Sequence, residues 1–422
     1  MYEKITLPNG VRIVFEKMPH YRSAAAGIWI KTGSRNEKPA ENGSAHFIEH
    51  MLFKGTESKT AFDLAELTDM IGGRINACTT RESTCFYARV LDSNLDTAID
   101  LLCDMFFNSA FAQKDVETER GVILEEIGMY EDSPEDTVTE RLFAKCYRGP
   151  LGRPITGKPA TLAKMTNSDL KLFMSENYSP SRTVFSLCGS FEDRHLRRIE
   201  AEFSRMPTVK NKPPKKAEYT PAAVTKRKSG EQNYFCIGFP GITATDEDRF
   251  SLALMSTVLG GGVSSRLFST VREKYGLCYS VYTFNASFSD TGLFGVETAL
   301  GRETEKKALN LIADEIRRIQ SEKITADELD RAREHVKSSV ILSLESTSAR
   351  MERLGGGELF LDRCLTPDEL IRRYDAVTAD DILRVAGRIF DFEKLSFSAV
   401  GKVSPPDYYA GLLDGPFRPV PD

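Results

Sequence analysis

Apolar and polar residues alternate along several short segments of the chain, a period of two that is typical of β-strands with one buried face. Residues 1–16 alternate in this way and turn at Pro8-Asn9-Gly10, which predicts a β-hairpin. Because this segment lacks a long apolar stretch and a small-residue cleavage site, we do not interpret it as a signal peptide. Further strand-like segments lie at residues 24–31 and 84–91.

Strand-like and helical segments follow one another in the same order twice. In the first half, residues 24–31 and 84–91 predict strands, and residues 44–53, 95–107 and a segment beginning near Asp115 predict helices. In the second half, the matching strands are residues 234–239 and 293–298, and the matching helices are residues 246–259, 304–319 and a segment from about Ala326. This order predicts an α+β fold with two homologous half-domains, each a mostly antiparallel sheet packed with helices.

Composition changes at one place, residues 206–226, which carry Pro, Lys and Thr and almost no large apolar side chain. Such a segment is typical of an extended linker. The predicted domains are therefore residues 1–205 and residues 227–422, joined by this linker.

The 422 residues carry a formal net charge of -5, so we do not expect a broad basic surface or a nucleic-acid partner. No apolar segment approaches the roughly 20 residues of a membrane-spanning helix, so membrane insertion is not expected. The eight cysteines are scattered without a C-x-x-C pair, which favours reduced core residues. We expect a cytoplasmic protein.

Two of the five histidines fall in the pentapeptide HFIEH, which contains His46, Glu49 and His50. On a helix, residues four apart lie on the same face, so both imidazoles can bind one ion, and neutral imidazole is a good zinc ligand. Glu49 lies three residues after His46, on the same side of the helix. A carboxylate there can take a proton from a water whose pKa zinc has lowered, so the motif predicts a hydrolytic zinc site.

A catalytic zinc site commonly needs a third protein ligand, and the acidic helix at residues 115–127 offers candidates. Glu119 and Glu126 are seven residues apart and share a face, whereas Glu125 lies about 100° away around the axis. One glutamate can bind the metal while another orients a histidine. The spacing alone does not decide between them.

With these motifs the sequence resembles the pitrilysin/insulinase family of zinc peptidases, whose inverted motif is H-x-x-E-H. The resemblance implies one zinc ion per chain, held by His46, His50 and Glu126, because the family's third ligand falls on Glu126 rather than on its neighbour. It further implies that Glu49 is the general base. It assigns Glu119 as the acid that holds a histidine ligand from outside the coordination sphere.

Two further segments resemble words of the same family. Residues 76–82, NACTTRE, are similar to an edge strand that binds substrate backbone, which implies roles for Asn76 and Ala77. Residues 265–280 are similar to a segment whose arginine and tyrosine hold substrate and the oxyanion, which implies roles for Arg272 and Tyr279.

The length resembles the short two-domain branch, which includes the catalytic subunit of the mitochondrial processing peptidase and bacterial relatives. In that branch two chains enclose a chamber, so the resemblance implies a homodimer, or a heterodimer with a related chain.

The predicted function is therefore a zinc-dependent endopeptidase that hydrolyses peptides or unfolded segments inside a dimeric chamber. The alternative is a noncatalytic subunit or scaffold of the same fold, and the intact motif residues argue against it. A metal-dependent hydrolase of small molecules is a third hypothesis, in which the duplicated halves would have no role.

Overall fold

A computed structural model describes residues 2–413, which form two compact units. Unit 1 contains the described residues up to Ile127, Arg153–Lys215 and Ile341–Thr366. Unit 2 contains Gly128–Gly152, Lys216–Val340 and the described residues from Pro367 onward. Within this range no helix has both the length and the apolar character needed to cross a membrane.

The strands are β1 (Glu3–Thr6), β2 (Arg12–Lys17), β3 (Ser23–Ile30), β4 (Arg74–Thr79), β5 (Thr84–Leu91), β6 (Thr183–Gly189), β7 (Ala223–Arg227), β8 (Asn233–Pro240), β9 (Cys278–Ser287), β10 (Gly292–Leu300) and β11 (Ser396–Gly401). The helices are α1 (Ser44–Leu52), α2 (Ala61–Met70), α3 (Leu95–Asn108), α4 (Gln113–Asp132), α5 (Pro134–Cys146), α6 (Pro159–Leu162), α7 (Asn167–Asn177), α8 (Asp193–Ser204), α9 (Arg249–Gly260), α10 (Glu305–Ser321), α11 (Ala326–Ser343), α12 (Thr347–Leu361), α13 (Pro367–Asp375), α14 (Ala379–Ile389) and α15 (Pro406–Leu413). A π-helical segment covers Phe268–Lys274.

The two sheets have the same strand order. In unit 1 the order is β1-β2-β6-β3-β5-β4, and in unit 2 it is β7-β11-β8-β10-β9. Neighbouring strands are antiparallel except for β2 beside β6 and β7 beside β11, which are parallel. With β1 set aside, the strands correspond one to one. The predicted α+β fold with two homologous halves is confirmed.

The N-terminal hairpin is also present as predicted. β1 and β2 pair in antiparallel register, and the Gly10 amide donates to the Leu7 carbonyl across the turn at 2.9 Å. Gly10 has a φ of 102°, in the left-handed region that glycine adopts without strain.

The sheet of unit 1 is covered on both faces. One face packs against α1 and α3 through buried apolar residues such as Ile28, Phe47 and Phe86. The other face packs against α12, where Met351 and other residues meet Trp29. The helix approaches so closely at Gly355 that a Cβ there would lie 2.1 Å from the Trp29 Nε1 atom.

The compact units differ from the predicted contiguous domains, residues 1–205 and 227–422, because each half of the sequence gives one helix to the other unit. From the first half, α5 packs on β8 and β11 in unit 2, with Leu142 in its core. From the second half, α12 covers β3 and β6 in unit 1. The two helices hold the same place in the two copies, so the exchange is reciprocal.

The predicted linker at residues 206–226 differs from the structure at its end. Residues 207–218 form neither helix nor strand, but β7 begins at Ala223 and pairs in parallel with β11. β7 therefore corresponds to β2 of the first copy and is the edge strand of the second sheet.

Candidate metal centre

Helix α1 carries both histidines of the HFIEH motif, one turn apart, with ring centroids separated by 4.7 Å. The start of α1 is anchored by the buried carboxylate of Glu37. It accepts hydrogen bonds at 2.9 Å from the backbone amides of Gly43 and Ala45 and from the Asn42 side chain. These hydrogen bonds satisfy amides at the start of the helix that have no partner within it.

Burial raises the pKa of Glu37 to about 8, and its hydrogen bonds oppose that rise. The sequence does not point to this residue, because it lies seven positions before Ser44 and Glu41 stands nearer to the helix.

Helix α4 brings Glu126 to the two histidines. The Glu126 Oε2 atom lies 3.7 Å from His46 Nε2 and 3.5 Å from His50 Nε2, and one ligand atom from each residue lies within 4.8 Å of the others. Ligand atoms of a tetrahedral zinc ion, with bonds of about 2.0–2.1 Å, are separated by about 3.3–3.4 Å. The three residues therefore fit zinc. Glu125 is exposed, so the structure brings Glu126 and not its neighbour to the histidines.

Glu119 lies behind His50. Its Oε2 atom is 3.1 Å from His50 Nδ1, and its Oε1 atom is 2.7 Å from the ammonium nitrogen of Lys54. A hydrogen bond from Nδ1 to the carboxylate leaves His50 Nε2 free to bind a metal. The structure thus brings Glu119 to the position that the resemblance implied, and it adds Lys54, which the sequence analysis did not identify.

The protonation of the two histidines differs. Burial lowers the pKa of His46 to about 4, with a further lowering by His50 and an opposing effect of Glu126. Burial also lowers the pKa of His50, but Glu126 and Glu119 together raise it above its ordinary value. The close approach of His50 Nε2 to Glu126 in turn lowers the pKa of that carboxyl. The low pKa keeps the His46 imidazole neutral at pH 7, which is the form that binds a metal, whereas a cation would compete with a proton more strongly at His50.

Glu49 stands apart from the three ligand residues. Its Oε2 atom is buried and has no hydrogen-bond partner in the described part of the chain. Burial raises the pKa of Glu49, while the nearby hydroxyl and backbone amide of Thr79 on β4 and the charge of His50 lower it. A carboxylate with a raised pKa beside a metal site is suited to take up a proton.

Strand β4 is an edge strand, and α1 packs beside it. At its end the Thr80 amide donates to the Ser83 carbonyl at 2.7 Å. Hydrogen-bonded pairs alternate along an antiparallel ladder, so Asn76 also bonds β5 through its backbone, whereas the backbone groups of Ala77 face outward. The open edge therefore offers the main chain of Ala77, and Asn76, the residue before it, is partly exposed.

Arg272 and Tyr279 lie in unit 2, close to each other. The guanidinium carbon of Arg272 is 5.1 Å from the centre of the Tyr279 ring and 4.6 Å from that of Phe268. The arginine is thus held between two aromatic rings, and cation–π contacts of this kind fix its position. Tyr279 is 77% exposed, so its hydroxyl faces solvent rather than a core.

Comparison with known proteins agrees with this architecture. Residues 12–158 match the family described as Insulinase (Peptidase family M16), and residues 164–336 match the Peptidase M16 inactive domain. The uncharacterized zinc protease YmxG of Bacillus subtilis is 40% identical over 393 residues, covering 92% of this chain and 96% of that protein. An uncharacterized zinc protease of Streptomyces coelicolor is 39% identical over 410 residues, 94% of this chain and 89% of that protein.

Solved structures share the fold. A peptidase M16 inactive domain from Pseudomonas fluorescens superposes with a TM-score of 0.89 at 19% identity, covering 96% of this chain and 98% of that one. A protease from Helicobacter pylori superposes with a TM-score of 0.87 at 22% identity, covering 95% of this chain and 99% of that one.

A duplicated α+β fold with a His-His-Glu group in its first copy is the architecture of a metallopeptidase. The chain belongs to the insulinase family of peptidases, family M16.

Proposed function

We propose that this chain is a zinc-dependent endopeptidase that hydrolyses peptides or unfolded polypeptide segments. The observation that carries the proposal is the convergence of His46, His50 and Glu126 beside the buried, unpartnered carboxylate oxygen of Glu49. Relatives that are named zinc proteases along nearly their whole length support it.

His46, His50 and Glu126 would hold the zinc ion, which when bound supplies a Lewis acid that acidifies water and polarises a carbonyl oxygen. The Glu49 carboxylate accepts a proton from the attacking water at an oxygen that no other group occupies. It later gives that proton to the leaving amine of the cleaved peptide bond. Glu119 keeps the His50 ring in place throughout.

The substrate would bind as an extended strand along the open edge of β4, where Ala77 offers backbone hydrogen bonds and Asn76 a side-chain amide. Arg272 and Tyr279 would donate hydrogen bonds to the oxyanion that forms at the scissile carbonyl. Their mutual contact holds both groups before substrate arrives, which is what stabilisation of a short-lived charge requires.

We further propose that two chains form a homodimer that encloses the substrate, with a heterodimer as the alternative assembly. The resemblance to the short branch of the family supports this arrangement. Arg272 and Tyr279 would then act either in their own chain or across the dimer.

Peptide mapping by mass spectrometry tests the activity. Zinc-loaded wild type and the Glu49→Gln variant are incubated with unstructured peptides of graded length. Glu125→Gln serves as the matched control, since it removes an exposed carboxylate one residue from Glu126. We expect defined internal cuts by the wild type and the control only. No cuts by zinc-bound wild type would contradict the proposal and favour a noncatalytic subunit.

A complementation experiment tests the dimer. Glu49→Gln and Arg272→Ala chains, each inactive alone, are mixed and allowed to exchange. If Arg272 acts across the dimer, the mixed dimer contains one intact site and activity returns. If the residues act within one chain, no mixture is active. A monomer by light scattering would contradict the proposed assembly.

A further inference from the structure

We infer that Lys54 is a positioning residue for the metal centre, because it fixes the Glu119 carboxylate that in turn fixes the His50 ring. The inference rests on the proposed function only in taking His50 as a metal ligand. It assigns a role to a residue outside the HFIEH motif and outside the acidic helix.

A continuous line of contacts joins Lys54 to the metal site. The Lys54 ammonium nitrogen lies 2.7 Å from Glu119 Oε1, and Glu119 Oε2 lies 3.1 Å from His50 Nδ1. Each oxygen of the carboxylate thus has its own partner on α1 or directly after it. The side chain of Glu119 is 3% exposed and that of Lys54 is 35% exposed.

The position of Lys54 follows from the helix. His46, His50 and Lys54 are spaced four residues apart, and the Lys54 amide still donates to the Met51 carbonyl at 3.0 Å after the end of α1. Lys54 therefore continues the face that carries the histidines. It also lies at the C-terminal end of α1, where a positive charge is favourable.

Glu119 is a buried carboxylate with both oxygens engaged. Partners on both oxygens hold the carboxylate in one rotation, so Oε2 stays within hydrogen-bond distance of His50 Nδ1. Without Lys54, Glu119 Oε1 would be buried and unpaired, and the group could turn toward another donor. His50 would then lose the contact that keeps its Nε2 atom directed at the site.

A second lysine in the same unit offers a matched control. The Lys59 ammonium nitrogen lies 2.8 Å from Asp104 Oδ2, and the two side chains are 33% and 15% exposed. Asp104 contacts Thr56 and Asn108 and none of the metal-site residues. Loss of this ion pair therefore measures the general cost of removing a half-buried lysine.

The experiment measures zinc affinity of the full-length protein by competition with a chromophoric chelator. Removal of a group that directly holds a metal ligand typically costs about 10–100-fold in affinity, which we expect for Glu119→Gln. For Lys54→Met, one step further out, we expect about 3–10-fold. Lys54→Arg should retain most of the affinity, and Lys59→Met should bind zinc as the wild type does.

A double variant tests the route of the effect. If Lys54 acts through Glu119, Lys54→Met should cause no further loss of affinity in the Glu119→Gln background. Thermal unfolding of each metal-free variant separates a folding defect from a metal-site defect. Should Lys54→Met not fold, Lys54→Gln takes its place in the same series.

Wild-type zinc affinity in Lys54→Met, an equal loss in Lys59→Met, or a full additional loss in the double variant would each overturn the inference. Wild type that binds zinc but cuts no peptide would refute the proposed peptidase and leave the Lys54 result standing. Wild type that binds no zinc would overturn both.

Discussion

Replacement of Glu49 by glutamine should abolish activity while making the metal-free protein more stable. The amide keeps the size of the side chain but cannot accept a proton at the buried Oε2 position. General base catalysis contributes about 10²–10⁴-fold to rate, so kcat should fall by that factor. At about 1.36 kcal/mol per tenfold change, the barrier rises by about 2.7–5.4 kcal/mol.

The stability effect follows from the direction in which the folded protein moves the pKa. Burial raises the pKa of Glu49 above its ordinary value of 4.5. An acid whose pKa is higher in the folded protein than in the unfolded chain ionises less readily when folded. It therefore lowers the free energy of unfolding once the pH rises above its unfolded-state pKa. Glutamine carries no charge at any pH, so the variant avoids the cost at neutral pH. Each tenfold difference in proton affinity between the folded and unfolded states, which is one unit of pKa, changes the free energy of unfolding by about 1.4 kcal/mol.

The assay has three readouts on one pair of proteins: cleavage of an internally quenched peptide, zinc affinity by chelator competition, and urea unfolding of the metal-free chain. We expect lost cleavage, zinc affinity within about threefold of wild type, and a higher free energy of unfolding at pH 7. Activity equal to wild type would refute Glu49 as the base. A less stable variant would refute the account of its burial.

Three further predictions concern other residues. Arg272→Ala should lower kcat by about 100–1,000-fold, as loss of an oxyanion donor does, and should leave the zinc affinity unchanged. Tyr279→Phe should also lower kcat. A loss of zinc affinity in either variant would contradict a role limited to the oxyanion. Glu37→Leu should lower the free energy of unfolding in urea by about 1–3 kcal/mol, because it leaves the Gly43 and Ala45 amides at the start of α1 without an acceptor, and an unchanged midpoint would exclude that role. The bidentate contact with Arg266 holds the pKa of Glu328 down to about 2. The contact therefore stabilises the fold above about pH 4.5, and this stabilisation is lost as the pH falls towards 2. Arg266→Met should flatten this part of the acid-unfolding curve, and a curve identical to that of the wild type would refute the prediction.

Strands and helices were predictable where buried and exposed residues alternate with a regular period along one segment of the chain. The segment at residues 84–91 predicted a strand with the bounds that β5 has, because its alternating residues face a core on one side. The exchange of α5 and α12 was not predictable from such a pattern. An apolar face, such as the one that carries Val138 and Leu142, indicates that a helix covers a sheet but does not indicate which of two similar sheets it covers.

The edge strand β7 was missed for a related reason. Its residues, AVTKR, include polar and charged side chains that keep an exposed edge from pairing with other chains. The same composition led to its inclusion in the predicted linker.

The two histidines followed from the i, i+4 rule within one helix. The choice of Glu126 came from the resemblance to the family, because spacing alone left more than one acidic residue of α4 open. Lys54 and Glu37 could not be found in that way. Lys54 matters through its contact with Glu119, which depends on how α1 packs beside α4, and Glu37 matters through the path of the chain before α1. Both residues support the site from outside it. The Lys54 contact joins residues that are far apart in sequence, and the Glu37 contacts depend on the irregular segment that leads into α1.

Among the described residues, a His-His-Glu group is present in the first copy and not in the second. In unit 2, α9 occupies the place of α1 in the order of elements, but it buries Leu254, Met255 and Val258 and carries no histidine. On α11, which follows in the place of α4, the Glu328 carboxylate is engaged by Arg266 at 2.7 Å and 3.0 Å. An internal cation thus compensates Glu328, which lies in the first turn of α11, whereas Glu126 lies beyond the middle of α4. In the first copy, Glu126 faces two imidazole nitrogens at distances that suit ligands of a shared ion, so an external cation would compensate it.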